Sequence, residues 1–242
     1  MPAFLTTPQG RRLAYVLTPG KGTPVAFLGG FRSDMTGTKA LFLQDWARAR
    51  GRPFLRFDYS GHGASDGRFE DGAIGDWLED ARATLALLPG PVVLVGSSMG
   101  GWLATLIARD SPAQVKALVT IAAAPDFTEW HFRADLDPAA LARDGQVALA
   151  SDYGPPLIVT RRLIEEAAAH LILPHPLSLP MPVRFLQGGA DPDVPIDLAL
   201  RLLAHAQGPD LQMTLVKGAD HRFSAPENLT LLAQTLDALD SA

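Results

Sequence analysis

The chain is 242 residues long, 47% hydrophobic and 19% charged, with a formal net charge of −5. It holds no cysteine, which excludes disulfides, thiolate catalysis and Cys-based zinc or iron–sulfur centres. The mild negative charge argues against a nucleic-acid partner, which would need a basic face, and no stretch nears the roughly 20 apolar residues that span a bilayer.

The N-terminus, Met1 to Thr7, has no basic segment and no apolar core of signal-peptide length. A cytoplasmic protein is expected, or a mitochondrial one if a transit peptide precedes this sequence. Arg12 to Leu17 and Pro24 to Leu28 read as the first strands. Thr38, Leu41, Phe42, Asp45 or Trp46, and Ala49 fall at helical spacing, which predicts a helix over 37–50. A strand follows from Pro53 to Asp58. Ile74, Trp77, Leu78, Ala81, Leu85 and Leu88 mark one face of the next helix. Pro91 to Gly96 is an apolar strand, and such a run signals burial on both faces, hence a parallel sheet covered by helices. Met99 to Arg109 reads as helix, Val115 to Ile121 as strand, Val183 to Leu186 as strand, Ile196 to Ala206 as helix and Leu211 to Val216 as strand. Glu227 to Leu239 closes the chain as a helix with Leu229, Leu232, Leu236 and Leu239 inward. The alternation predicts an α/β fold with a doubly wound, mostly parallel sheet.

Between about 122 and 183 the chain is far longer than the roughly dozen residues that a crossover needs. The excess holds a hairpin pattern (Gln146 to Ala150 against Leu157 to Thr160) and a helix from Arg161 to about Leu171. Residues 126–180 therefore read as a cap inserted into a core formed by 1–125 and 181–242. Ligands of open α/β sheets sit at the carboxyl edge, so the cap's Phe127, Trp130, Phe132, Tyr153, Leu157 and Ile158 are candidate substrate contacts. The competing reading makes them a small structural core over a shallow pocket.

Gly96-Ser97-Ser98-Met99-Gly100 matches G-x-S-x-G between the most apolar strand and a helix. A sharp strand-to-helix turn needs small residues on both sides, because the chain packs against itself there. It presents Ser98 as a nucleophile and aims a helix N-terminus at any developing anion. A serine hydroxyl needs a base. In such sites the chain order is Ser, then Asp or Glu, then His. His221, in the loop after the last strand, is the candidate base, with His131 the next choice. His62, in the glycine-rich run after Asp58, is assigned no chemistry. Asp191 follows the penultimate strand and is the candidate acid. Asp193 is read as a helix cap, and Asp126 as a rival acid. Backbone N–H groups of Met99 and Phe31 are the candidate oxyanion donors, with Gly29 and Gly30 letting their loop come close. No metal-ligand spacing is present.

Lys39-Ala40-Leu41 after Phe31 to Thr38, then Arg56-Phe57-Asp58-Tyr59-Ser60-Gly61, Val95 to Trp102 and Asp220-His221-Arg222 are together more specific than G-x-S-x-G alone. In these runs the chain resembles the mitochondrial acyl-glucuronide esterase and palmitoyl-protein thioesterase branch of the α/β-hydrolase family, and reads as a bacterial relative. The resemblance covers about Pro24 to the last helix and carries a triad onto Ser98, Asp191 and His221. It implies a cofactor-free ester or thioester hydrolase acting on small-molecule or acylated-protein substrates. The alternatives are C–C bond hydrolysis or perhydrolysis on the same triad, and a ligand-binding pseudoenzyme.

Overall fold

The computed structural model describes residues 1–150 and 156–240. The strands are β1 (Ala3–Thr6), β2 (Arg12–Thr18), β3 (Val25–Leu28), β4 (Phe54–Phe57), β5 (Val92–Ser97), β6 (Val115–Ile121), β7 (Gln146–Leu149), β8 (Leu157–Thr160), β9 (Leu177–Ser178), β10 (Val183–Gly188), β11 (Ala206–Gln207) and β12 (Leu211–Val216). The helices are α1 (Thr38–Ala49), α2 (Ile74–Leu85), α3 (Met99–Asp110), α4 (Arg133–Asp135), α5 (Pro138–Asp144), α6 (Arg161–Ala167), α7 (Ile196–His205) and α8 (Pro226–Asp240). One eight-stranded sheet runs in the order β1-β2-β4-β3-β5-β6-β10-β12. β2 is antiparallel to both β1 and β4, and every pairing from β4 onward is parallel.

The apolar strands are buried on both faces, and alternate side chains feed two cores. Ala26, Leu28, Val92 and Leu94 join Trp77 and Leu78 of α2, Trp102 and Leu103 of α3, and Leu198 and Leu202 of α7. Their neighbours Val25, Phe27, Val93 and Val95 point the other way, onto Ala40, Leu43 and Ala47 of α1 and Leu232 and Leu236 of α8. The doubly wound reading holds. The sequence reading passed over β1, whose residues are largely exposed and carry little periodic signal.

α1 forms as expected, but its buried face only partly matches the one the spacing marked: Trp46 is buried and Phe42 packs half-buried against the core. Ala40, Leu43, Gln44, Trp46 and Ala47 are buried, while Thr38, Asp45 and Ala49 face solvent and Leu41 is 41% exposed. Gln44 is the reason. It is polar yet buried, donating to Thr18 Oγ1 at 3.2 Å and accepting from Arg56 Nε at 2.8 Å. A stripe containing a satisfied polar residue does not read as apolar.

Among the described residues, 126–180 add no strand to the large sheet. β7 and β8 pair with each other antiparallel, as the hairpin reading expected, and β9 pairs with β11. Phe127, Phe132, Val159, Leu163 and Ile172 of this segment belong to the same core as α2 and α3. The segment is thus packed down on the main body.

The two faces of α1 give a direct check. Leu43→Ala empties a fully buried site and should cost about 2–5 kcal/mol in denaturant unfolding. Leu41→Ala should stay within about 0.5 kcal/mol. The reverse order would place the wrong face inward.

Candidate active site

Ser98 lies between β5 and α3 with φ 56° and ψ −120°. A non-glycine residue held there costs about 1–3 kcal/mol and persists only where packing fixes it. The surrounding backbone leaves no room for side chains. A Cβ on Gly96 would lie 2.2 Å from the Gly100 carbonyl oxygen, and one on Gly100 would lie 2.1 Å from that of Leu28. The Ser98 N–H donates to the Ile121 carbonyl at 2.9 Å, and the Ser98 carbonyl accepts from Gly101 N at 2.9 Å. Ser97 ends β5 and is buried.

His221 Nε2 lies 3.1 Å from Ser98 Oγ, and His221 Nδ1 lies 3.0 Å from Asp191 Oδ2. With the proton on Nδ1, His221 donates to Asp191 and accepts from the serine hydroxyl. The Asp191 side chain is fully buried. Oδ1 accepts from the backbone N–H groups of Asp193 and Val194, both at 2.9 Å, and Oδ2 also accepts from Gln187 Nε2 at 3.1 Å. Burial pushes this carboxyl up, but the bond from His221 and the backbone donors outweigh it, so its pKa is held below the usual aspartate value. Asp191 thus stays ionised beside the imidazole at neutral pH.

The acid turn and the histidine loop are stitched together by backbone. Gly189 N donates to the Val216 carbonyl at 2.7 Å and Ala190 N to that of Ala219 at 2.9 Å. A Cβ on Gly188 would lie 2.4 Å from the Ala219 carbonyl oxygen. Asp191, Asp193 and His221 could present ligand atoms to a metal within 4.8 Å of one another. Two of them are already joined by the Asp191–His221 bond.

The Gly29-Gly30-Phe31 loop sits against the nucleophile, and a Cβ on Gly30 would lie 3.3 Å from Ser98 Cβ. Among the described residues, the N–H groups of Phe31 and Met99 make no hydrogen bond. The Phe31 ring meets Phe69 at 4.8 Å, Phe127 at 5.2 Å, Phe132 at 5.7 Å and Trp77 at 5.8 Å. Of the cap candidates, Phe127 and Phe132 are therefore buried against the loop that holds Phe31. Trp130 is half-buried and donates to the Pro125 carbonyl at 2.7 Å. Leu157 and Ile158 are half-buried on β8, Leu157 against the main core. Tyr153 lies outside the described residues.

The other candidate residues make different contacts. Asp126 is buried, and its oxygens accept from Ile172 N and Leu173 N, each at 2.9 Å, so it ties the end of the inserted segment to the exit of β6. The N-cap of α7 is Pro195, which offers no side-chain cap, and the Asp193 N–H donates to Asp191 Oδ1. His131 is exposed beside Trp130 and Phe132. His62 is buried among Tyr59, Phe69 and Trp77, with burial pulling its pKa down to about 4, so its ring is neutral.

The family described as alpha/beta hydrolase fold matches residues 33–205. The chain belongs to the α/β-hydrolase family. It is 35% identical over 242 residues to the rat palmitoyl-protein thioesterase ABHD10, mitochondrial, covering 98% of this chain and 82% of that one. The solved structure of mouse α/β-hydrolase domain-containing protein 10 superimposes with a TM-score of 0.92 at 33% identity, covering 100% of this chain and 98% of the other. A crystal structure from Agrobacterium vitis S4 also gives 0.92, at 41% identity over 99% of this chain and 98% of the other.

Two residues of this α/β-hydrolase site escaped the sequence reading. Gln187 is a buried polar residue near the carboxyl end of β10, which was the available signal. Lys39 donates to the carbonyl of Arg222, next to His221. Its signal was a cation in the first turn of a helix, where the macrodipole disfavours one.

The Asp126 contacts predict a stability effect. Asp126→Ala strands two buried backbone donors, at about 1–3 kcal/mol each, while Asp126→Asn keeps one acceptor and should lose less. Urea unfolding of both variants measures this, and an unchanged midpoint in Asp126→Ala would show the clamp to be idle.

Proposed function

We propose that this protein hydrolyses carboxylic esters and thioesters of apolar acyl groups through an acyl-enzyme on Ser98. The observation that carries the reading is the continuous line Ser98 Oγ, His221 Nε2, His221 Nδ1 and Asp191 Oδ2, with steps of 3.1 Å and 3.0 Å outside the ring, at a strained strand-to-helix turn. Ser98 Oγ attacks the acyl carbon as its proton passes to His221 Nε2. The carbonyl π electrons move to oxygen, where the N–H groups of Phe31 and Met99 stabilise the charge; losing one such donor typically costs about 3–4 kcal/mol. The tetrahedral intermediate collapses, the C–O or C–S bond breaks, and His221 returns the proton to the departing alcohol or thiol. Water, deprotonated by His221, then attacks the acyl-enzyme, releasing the acid and restoring Ser98. Asp191 fixes the imidazole tautomer and stabilises the imidazolium.

In this reading residues 1–125 and 181–242 form the catalytic core and 126–180 a cap over its carboxyl edge. Phe127, Trp130, Phe132, Leu157 and Ile158 bring apolar surface to the acyl group, and each methylene buried contributes about 0.8 kcal/mol. The thioesterase name of the rat relative favours thioesters among the substrates. No described helix is long and apolar enough to cross a membrane. The rat relative is named mitochondrial; a cytoplasmic location for this protein is a proposal that cell fractionation tests.

Two measurements check the reading. Asp191→Asn should lower kcat by about 10⁴, following the serine-protease precedent, with Ser98→Ala inactive and both folded. A kcat/KM series from acetyl to palmitoyl, run on esters and thioesters, should rise with chain length to a limit. A steady decline from acetyl onward would make the cap's apolar residues structural and the enzyme a short-chain esterase.

A further inference from the structure

We infer that Lys39 is a positioning residue for His221, a tether that holds the histidine loop at the distance its proton transfer requires. The inference rests on the reading of His221 as the base.

Lys39 lies in the first turn of α1, where no acidic residue offsets the helix dipole. A cation there opposes the partial positive charge of the helix end, so it does not serve the helix. Among the described residues it forms no direct ion pair. Its Nζ donates instead to the carbonyl oxygen of Arg222, 183 residues away in sequence. Burial pulls the ammonium down to about 8, with Asp220 attracting the charge and Arg222 repelling it. A half-buried lysine spent on a backbone carbonyl needs an explanation in what that carbonyl supports.

The carbonyl belongs to the residue after His221. On the acid side the loop is anchored by the Ala190 N bond to the Ala219 carbonyl. Beyond the histidine, Phe223 is fully buried with φ 51°, and its N–H donates to Asp220 Oδ1 at 3.0 Å. Ser224 Oγ also donates to the Arg222 carbonyl, at 2.9 Å. The Lys39 bond ties that carbonyl to α1, an element separate from the Asp191 turn. Between these anchors His221 has little freedom to swing from Ser98 Oγ. Displacing a proton-transfer group by about 1 Å can cost 10²-fold in rate.

The test uses the full chain and a fluorophosphonate, which reports how strongly Ser98 is activated whatever the natural acyl group. Lys39→Met removes the donor and keeps the length of the side chain. It should slow Ser98 labelling and lower kcat for a nitrophenyl ester by about 10- to 100-fold, with KM changed less than about twofold. Lys39→Arg, which restores a charged donor, should return both to within about threefold of wild type. A Lys39→Met enzyme that labels at the wild-type rate, or an arginine variant as slow as the methionine one at equal thermal stability, overturns the inference. If Lys39→Met does not fold, Lys39→Leu is compared with Lys39→Arg on the same scale, and equal labelling rates for that pair overturn it too. Failure of the wild type to be labelled at Ser98 would instead sink the reading of Ser98 and His221 beneath it.

Discussion

The site depends on how closely stretches of backbone approach one another at the carboxyl edge of the sheet. The Ser98 turn is pressed between its own helix and the Leu28–Gly30 loop, at separations where only hydrogen fits in place of a Cβ on Gly96 or Gly100. The acid turn meets the histidine loop under the same condition at Gly188 and Gly189. These contacts fix where four loops end. They hold the serine at a dihedral pair it would not adopt alone, at a cost the packed glycines offset.

With the loops fixed, the chemistry follows from a few side chains. Asp191 spends one oxygen on two backbone N–H groups and the other on His221 and Gln187, so neither the acid nor the ring has much rotational freedom. Phe31 plays two parts. Its loop lies against Ser98 at Gly30, and its ring gathers Phe69, Trp77, Phe127 and Phe132 around the same loop. The inserted segment is thereby coupled to the proposed oxyanion donors, and a change in its packing would be felt at the acyl carbonyl. Asp126 adds a second coupling, because the residue that clamps Ile172 and Leu173 lies just beyond Ala124, whose N–H donates to the Ser98 carbonyl at 3.2 Å.

Much of this was legible in the chain because the loops that matter follow strands with strong patterns. Val-Val-Leu-Val before Gly96, and the glycine pair before Asp191, mark strand ends where functional groups of an α/β sheet gather. His221 could be chosen from position and chain order. Properties set by distant partners were not legible. The buried face of α1 turned on Gln44 meeting Arg56 and Thr18, and no periodicity reports a satisfied polar contact. Phe127 and Phe132 read correctly as apolar, but their packing on Phe31 depends on a loop about a hundred residues earlier in the chain. Lys39 looked like part of a family motif until the Arg222 carbonyl gave it a partner.

The central claim is that an acyl group passes through Ser98. Rapid quenching of the wild-type protein with an activated acyl ester, followed by peptide mass spectrometry, tests it most directly. The account predicts a transient adduct of the acyl mass on the peptide carrying Ser98, formed with a burst of leaving group and absent from Ser98→Ala. Steady turnover with no adduct, or an adduct on another residue that survives in Ser98→Ala, would contradict it.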